Sequence, residues 1–258
     1  MSSVVQEKNI KLGITLYQQK KFNEAEKLFR QTLAEAESTC ALDNADTLKT
    51  RYWLGSALYE QEKYIEAEEV LQQAVHEHER ILGPDNLGTL ESQYWLGSTL
   101  FEQKKYDEAE NVFQQNAHRY GRSFGPDYIG TRQTNHWLGI TLYEQKKYEK
   151  AEEVFRKAVH QDEKGFGPDY LGTLAAKHWL GITLHEQQKY SEAEEVLRQI
   201  VPRHERILGP DDPATLDTNY WLGKALYKQK KYSEAEGVLC QVLHGQERTF
   251  GKDDRKTL

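Results

Sequence analysis

Residues 89–125, TLESQYWLGSTLFEQKKYDEAENVFQQNAHRYGRSFG, hold two helical signals joined by a short polar turn. In the first half Leu96, Gly97 and Leu100 share one face at helical spacing, which predicts an amphipathic helix from about Thr89 to Lys104, here helix A. A second helix, B, is predicted to begin after Tyr106. There Asp107 followed by Glu110 has the pattern of an N-cap with its reciprocal glutamate, as do Asn23 with Glu26, Ser191 with Glu194 and Ser233 with Glu236. Ile65 and Glu149 hold that position elsewhere, so weaker caps are expected there. Helix B turns Ala109, Val112 and Phe113 inward, with Ala74 or Ala158 doing so in other copies. It ends at a Gly-Pro turn, because proline cannot continue a helix and disfavours the helical conformation just before it. Gly97 on A and Ala109 on B are the expected points of close backbone approach. A mid-helix glycine costs about 1 kcal/mol against alanine, so its recurrence points to tight packing. Strand signals are absent.

The pattern recurs with a period of 42 residues: Gly13, Gly55, Gly97, Gly139, Gly181 and Gly223 are in register, as are Leu16, Leu58, Leu100, Leu142, Leu184 and Leu226. The alanines Ala25, Ala67, Ala109, Ala151, Ala193 and Ala235 keep the same step. Gly-Pro-Asp links the copies at Gly83, Gly125, Gly167 and Gly209, followed by Thr89, Thr131, Thr173 and Thr215. The expected organisation is a single all-α array over residues 1–258, with units of approximately 5–46, 47–88, 89–130, 131–172, 173–214 and 215–256. Thr257 and Leu258 stand where a seventh unit would begin, which reads as a fragment or truncated array. No hairpin covers its own apolar face, so neighbours must stack and stability is expected to come from the interfaces.

A net charge of −7 and a pI near 5.8 give no electrostatic footprint for DNA, RNA or anionic membrane. Cys40 and Cys240 form no metal or redox spacing and read as packing residues in a reducing compartment. No signal peptide or apolar run of membrane-spanning length is present, so the expected location is cytoplasmic. No enzyme, metal or cofactor is expected. The histidines His76 and His78, in HEHER, lack the spacing of a zinc protease and read as a solvated face, and no phosphate loop or nucleophile elbow occurs. Glu66, Glu68 and Glu69 read as solvated too, and the lysine pairs Lys104-Lys105 and Lys146-Lys147 as complements of helix A's dipole.

Leu96-Gly97, Ala109, Phe113 and the further alanines resemble the tetratricopeptide repeat at its own offsets, and the 42-residue period with Gly-Pro-Asp links is similar to the kinesin-light-chain subtype. LGPDDPATL (Leu208 to Leu216) and QKKYSEAEGVL (Gln229 to Leu239) resemble the C-terminal repeat arrays of fungal and bacterial NLR-like signalling ATPases of the STAND class. The resemblance spans nearly the whole chain and implies a right-handed superhelical solenoid of six hairpins, helix A lining the concave side and helix B the convex. It implies a protein- or peptide-binding scaffold, the ligand-recognition region of a larger NLR-like protein. A structural array that associates end to end is the alternative. Where kinesin-light-chain-like repeats carry an asparagine pair, this chain has Tyr52-Trp53, Tyr94-Trp95 and Tyr220-Trp221, or His136-Trp137 and His178-Trp179.

On that placement the groove is expected to be an aromatic ladder. The Tyr/His-Trp pairs are followed one turn later by Ser56, Ser98, Ile140, Ile182 and Lys224, then by Tyr59, Phe101, Tyr143, His185 and Tyr227, edged by Glu60, Glu102, Glu144 and Glu186. Such a surface suits a segment with apolar anchors and some Arg or Lys, because aromatics dominate binding hot spots and attract cations. The tryptophans have an equal second reading as mortar between repeats, and the Tyr or His before each has the same alternative with less weight. The register position of Lys49, Glu91, Gln133, Ala175 and Asp217 varies from unit to unit, as recognition positions do and as any exposed position also does.

Overall fold

The computed structural model describes residues 3–38 and 45–251, and every regular element within them is an α-helix. The A helices are α1 (Ser3–Gln18), α3 (Ala45–Tyr59), α5 (Leu87–Glu102), α7 (Ile129–Glu144), α9 (Leu171–Glu186) and α11 (Pro213–Lys228). The B helices between and after them are α2 (Phe22–Ser38), α4 (Tyr64–Leu82), α6 (Tyr106–Phe124), α8 (Tyr148–Phe166), α10 (Tyr190–Ile207) and α12 (Tyr232–Phe250). They form antiparallel A–B hairpins, numbered one to six. The chain divides into two compact units, Met1–Thr141 and Leu142–Leu258, the division falling within α7.

Helix A of the third hairpin lies two residues earlier than the spacing predicts, while helix B ends at the Gly-Pro turn as expected. Helix α5 runs from Leu87 rather than Thr89, because the Asn86 side chain accepts the Gly88 N–H at 2.9 Å and caps it there. Asp212 does the same for α11. The recurrent threonine closes the link: Thr89, Thr131 and Thr173 donate their hydroxyls to the carbonyls of Gly83, Gly125 and Gly167. Those glycines are obligatory, since Gly83 has φ 90° and ψ 163°, a region open to glycine alone.

The expected caps of helix B are a correction. Helix α6 begins at Tyr106, one residue before Asp107, and its N-cap Lys105 makes no side-chain capping bond; α4, α8, α10 and α12 begin likewise at tyrosine. The turn decides this. Lys104 lies in the left-handed region at φ 61°, its N–H bonded to the Phe101 carbonyl and that of Lys105 to Leu100, which closes helix A and starts helix B in three residues. Asp107 thus sits in the first turn, where its charge favours the helix N-terminus without capping it.

Hairpins lock by a side chain entering the glycine notch, another correction to the expected backbone contact of Gly97 with Ala109. A Cβ at Gly97 would lie 2.7 Å from the Phe113 ring, and at Gly181 2.7 Å from Leu197. Phe29, Leu71, Phe113, Phe155 and Leu197 are wholly buried, as are Ala109 and Ala74, while Leu239, Val112 and Ala158 are half-buried. In the second unit Leu174, Leu197, Ile200, Leu222, Leu226 and Ala235 form one continuous core.

Helix A is covered on most sides, so its interior face includes small polar residues that return their hydroxyls to the preceding turn: Ser92 to Gly88, Ser98 to Tyr94 and Thr99 to Trp95. Helix B keeps a polar outer face. Within the first unit α1, α3 and α5 touch in sequence, and within the second α9 touches α11. Neighbouring B helices are instead spanned by long ion-paired side chains, Arg30 to Glu66 in the first unit and Arg156 to Glu192 and Arg198 to Glu234 in the second. In each unit the A layer is therefore the more closely spaced one.

Three further expectations change. Glu68 is not a solvated residue: it takes Gln103 Nε2 and Lys105 Nζ, both at 2.7 Å, from the next hairpin. His78 is buried, with Nδ1 2.8 Å from the Ala74 carbonyl, while His76 is exposed. Cys240 is exposed rather than packed, and Cys40 lies outside the described residues.

Candidate binding surface on the A helices

The tryptophans join hairpins. Each indole meets the ring one hairpin back edge to face, Trp53 on Tyr17, Trp95 on Tyr59 and Trp137 on Phe101, all at 5.1 Å. The second unit repeats this with Trp179 on Tyr143 at 5.5 Å and Trp221 on His185 at 5.3 Å. Trp137 and Trp179 also stack on Phe113 and Phe155 of the preceding helix B. Their polar edges are satisfied in the same direction: Trp95 Nε1 donates to Tyr52 Oη at 3.1 Å, and Trp137 Nε1 to Tyr94 Oη at 2.9 Å.

The remaining positions separate by burial. Ser56, Ser98, Ile140, Ile182 and His185 are interior, out of reach of a seated ligand; only Lys224 of that turn is partly open, its ammonium 3.7 Å over the Trp221 ring. Tyr52, Tyr94, His136, His178, Tyr59, Phe101 and Tyr143 are half-buried, and Tyr220 and Tyr227 are exposed at 43% and 57%. The first unit thus presents Tyr52, Tyr94 and His136 along its A layer, and the second His178 and Tyr220. The glutamate edge is tied to the ladder, with Tyr17 Oη donating to Glu60 at 3.2 Å. Burial raises the Tyr94 hydroxyl, and burial with the charge of Glu186 pushes Tyr143 up to about 12, so both stay protonated donors at neutral pH.

Two features went unread in the sequence. Exposed apolar residues recur at the B-to-A links, Leu82, Leu87, Phe124 and Ile129 in the first unit and Phe166, Leu171 and Ile207 in the second. Their signal was a repeating apolar position beside Gly-Pro, indistinguishable from a core position until the packing is seen. The carboxylates at the variable register position also differ in company: Asp217 lies 3.0 Å from His178 Nε2, while Glu91 has no such neighbour among the described residues.

Among the described residues no His, Cys, Asp or Glu group is placed to hold a metal, and no helix is long and apolar enough to cross a membrane. No curated protein matches the chain. Among solved structures, it is similar to the nearly identical TPR-like repeats of a Podosopora anserina kinesin light chain protein, at 22% identity and TM-score 0.70 over 78% of this chain and 95% of that one. It is also similar to a STAND protein with a tetratricopeptide repeat sensor from Pyrococcus horikoshii, at 15% identity and TM-score 0.78, covering 95% of this chain but 36% of the other. YrrB, a TPR protein with an unusual peptide-binding site, is 15% identical with TM-score 0.56 over 89% of this chain and 98% of that one. These likenesses share the hairpin fold. The tetratricopeptide repeat profile matches residues 6–75, 46–116, 90–164, 130–206 and 172–248 in overlapping pairs of hairpins, and the chain belongs to the tetratricopeptide repeat family.

Proposed function

We propose that the chain is the ligand-recognition region of a larger NLR-like signalling protein, a cytoplasmic non-enzymatic scaffold that binds a protein or peptide on the A faces of its hairpins. The observation that carries this reading is the row of half-buried Tyr52, Tyr94 and His136 on the more closely spaced layer of the first unit, with half-buried His178 on the same layer of the second. Their rings are held in place by neighbours yet keep one edge open, so a ligand gains aromatic contact at little ordering entropy. Interior positions such as Ser56 and Ile182 set the spacing of that row rather than touching the ligand. The STAND relative with a repeat sensor and the peptide-binding YrrB are consistent with such a role.

The test is capture of partners by the intact array, by a Tyr94→Ala, His136→Ala, His178→Ala variant, and by a Gln72→Ala, Gln114→Ala, Glu153→Ala control on the outer face of helix B. A partner lost by the first variant and kept by the control, with helix content unchanged in both, supports the A face. Loss in the control alone moves recognition to the B face.

End-to-end association through exposed rings such as Tyr220 and Tyr227 is the second reading. Concentration-dependent mass in light scattering, abolished by Tyr227→Glu, is the expected result if this face self-associates.

A further inference from the structure

Between hairpins two and three stands a carboxylate without a counter-charge among the described residues. Glu91, in the second turn of α5, is half-buried. Among the described residues no cation or hydrogen-bond donor is paired with it, and burial raises its pKa. Its field reaches the aromatic residues around it: burial first, and Glu91 second, push the Tyr52 hydroxyl up to about 12 and raise that of Tyr120. The Tyr52 oxygen already accepts the Trp95 indole N–H.

The second unit shows the same register position completed. Asp217 there corresponds to Glu91, and His178 corresponds to Tyr52; the His178 Nε2 lies 3.0 Å from the Asp217 carboxylate. The step between hairpins five and six therefore carries its own imidazole partner, and the step between two and three has a tyrosine ring in place of it. In the step between three and four the acid itself is missing, since Gln133 faces the register of Tyr94. One turn before Glu91, Leu87 is 36% exposed on the same helix face and offers an apolar flank.

We propose that Glu91 anchors an arginine side chain of a peptide ligand, its guanidinium on the carboxylate and against the rings of Tyr52 and Tyr94, its stem along Leu87. Arginine fits better than lysine because a planar guanidinium pairs with a carboxylate in a two-point fork while lying flat on an aromatic face. A lone carboxylate among phenols is no cage for a metal ion, which requires several oxygen ligands. The proposal rests on the reading that the A face of the first unit binds a peptide, and it adds which side chain that peptide carries.

The Trp95 indole N–H, bonded to Tyr52, is a built-in reporter. The full 258-residue chain, labelled with nitrogen-15 at tryptophan, is titrated with acetyl-Leu-Arg-Leu-amide and with the same peptide bearing neutral citrulline for arginine. The expected result is a saturable shift of the Trp95 resonance with the arginine peptide, none with citrulline, and loss of the shift in Glu91→Gln. Gln133→Glu transplants the acid to the next step and is expected to create a second site, seen at Trp137, whose indole bonds Tyr94. Equal shifts with citrulline, retention of the shift in Glu91→Gln, or an unmoved Trp95 with the arginine peptide overturns the proposal. If Trp95 stays unmoved while the Tyr94, His136, His178 variant still loses its captured partner, the arginine anchor falls and the A-face reading stands.

Discussion

Six residues that are not glycine sit in the left-handed region at the A–B turns: Lys20, Glu62, Lys104, Lys146, Gln188 and Lys230, with φ between 59° and 64°. A side chain there is disfavoured by roughly 1 kcal/mol, because Cβ crowds the following carbonyl. At four of these turns the next residue, Lys63, Lys105, Lys189 or Lys231, reaches a glutamate of the preceding hairpin. Lys104→Gly is therefore expected to raise the urea midpoint by about 0.5–1 kcal/mol of stability, the relieved strain outweighing the added freedom of the unfolded chain. Lys105→Gly, one residue on, is expected to lower it, since Lys105 Nζ holds Glu68 at 2.7 Å. A fall in midpoint for Lys104→Gly would mean that its side chain does something the turn geometry does not show.

At the scale of the element, helix B of one hairpin is clamped to the A–B turn of the next by a single glutamate. Glu26 takes Gln61 and Lys63, Glu68 takes Gln103 and Lys105, Glu152 takes Gln187 and Lys189, and Glu194 takes Gln229 and Lys231. Arg30, Arg156 and Arg198 bond three of these glutamates from their own helix. Burial raises the carboxyl pKa of Glu152 and Glu194, but the surrounding donors outweigh it and hold both at about 2. A folded-state pKa below the unfolded value means that the stabilisation is complete above pH about 4.5 and is lost as the pH falls toward 2. After allowance for solvent screening, each clamp is expected to contribute roughly 1–2 kcal/mol. Thermal melts between pH 6 and 2 should show this slope, reduced by about half in a Glu152→Gln, Glu194→Gln variant; an unchanged slope would place the acid sensitivity elsewhere.

For the whole molecule, stability is the sum of hairpins and of interfaces between neighbours. The tryptophans carry those interfaces, so Trp95→Ala removes the contact with Tyr59 and the bond to Tyr52 together, at a cost of about 3 kcal/mol. Because only neighbours are coupled, weakening one interface is expected to split unfolding, with helix content and the fluorescence of the remaining tryptophans following different urea curves. Coincident curves with the parent midpoint would show that the Trp95 joint is dispensable.

The period, the two helices per unit and the link between units are legible in the residues themselves. They follow from local constraints: apolar spacing, proline and the glycine notch act within one hairpin, and every copy restates them. The fate of a polar or aromatic side chain depends on what the neighbouring hairpin brings, which local spacing does not encode. Asp107 has the look of a cap until Lys104 turns left-handed and starts the helix a residue early. Glu68 looks solvated until Lys105 arrives, and Trp95 reads equally as groove or as mortar until Tyr59 and Tyr52 enclose it. Glu91 was visible only as one letter in a drifting column. That it stands half-buried without a partner among the described residues, where Asp217 has His178, was decided by the packing of one hairpin on the next, since that alone fixes which charges are met.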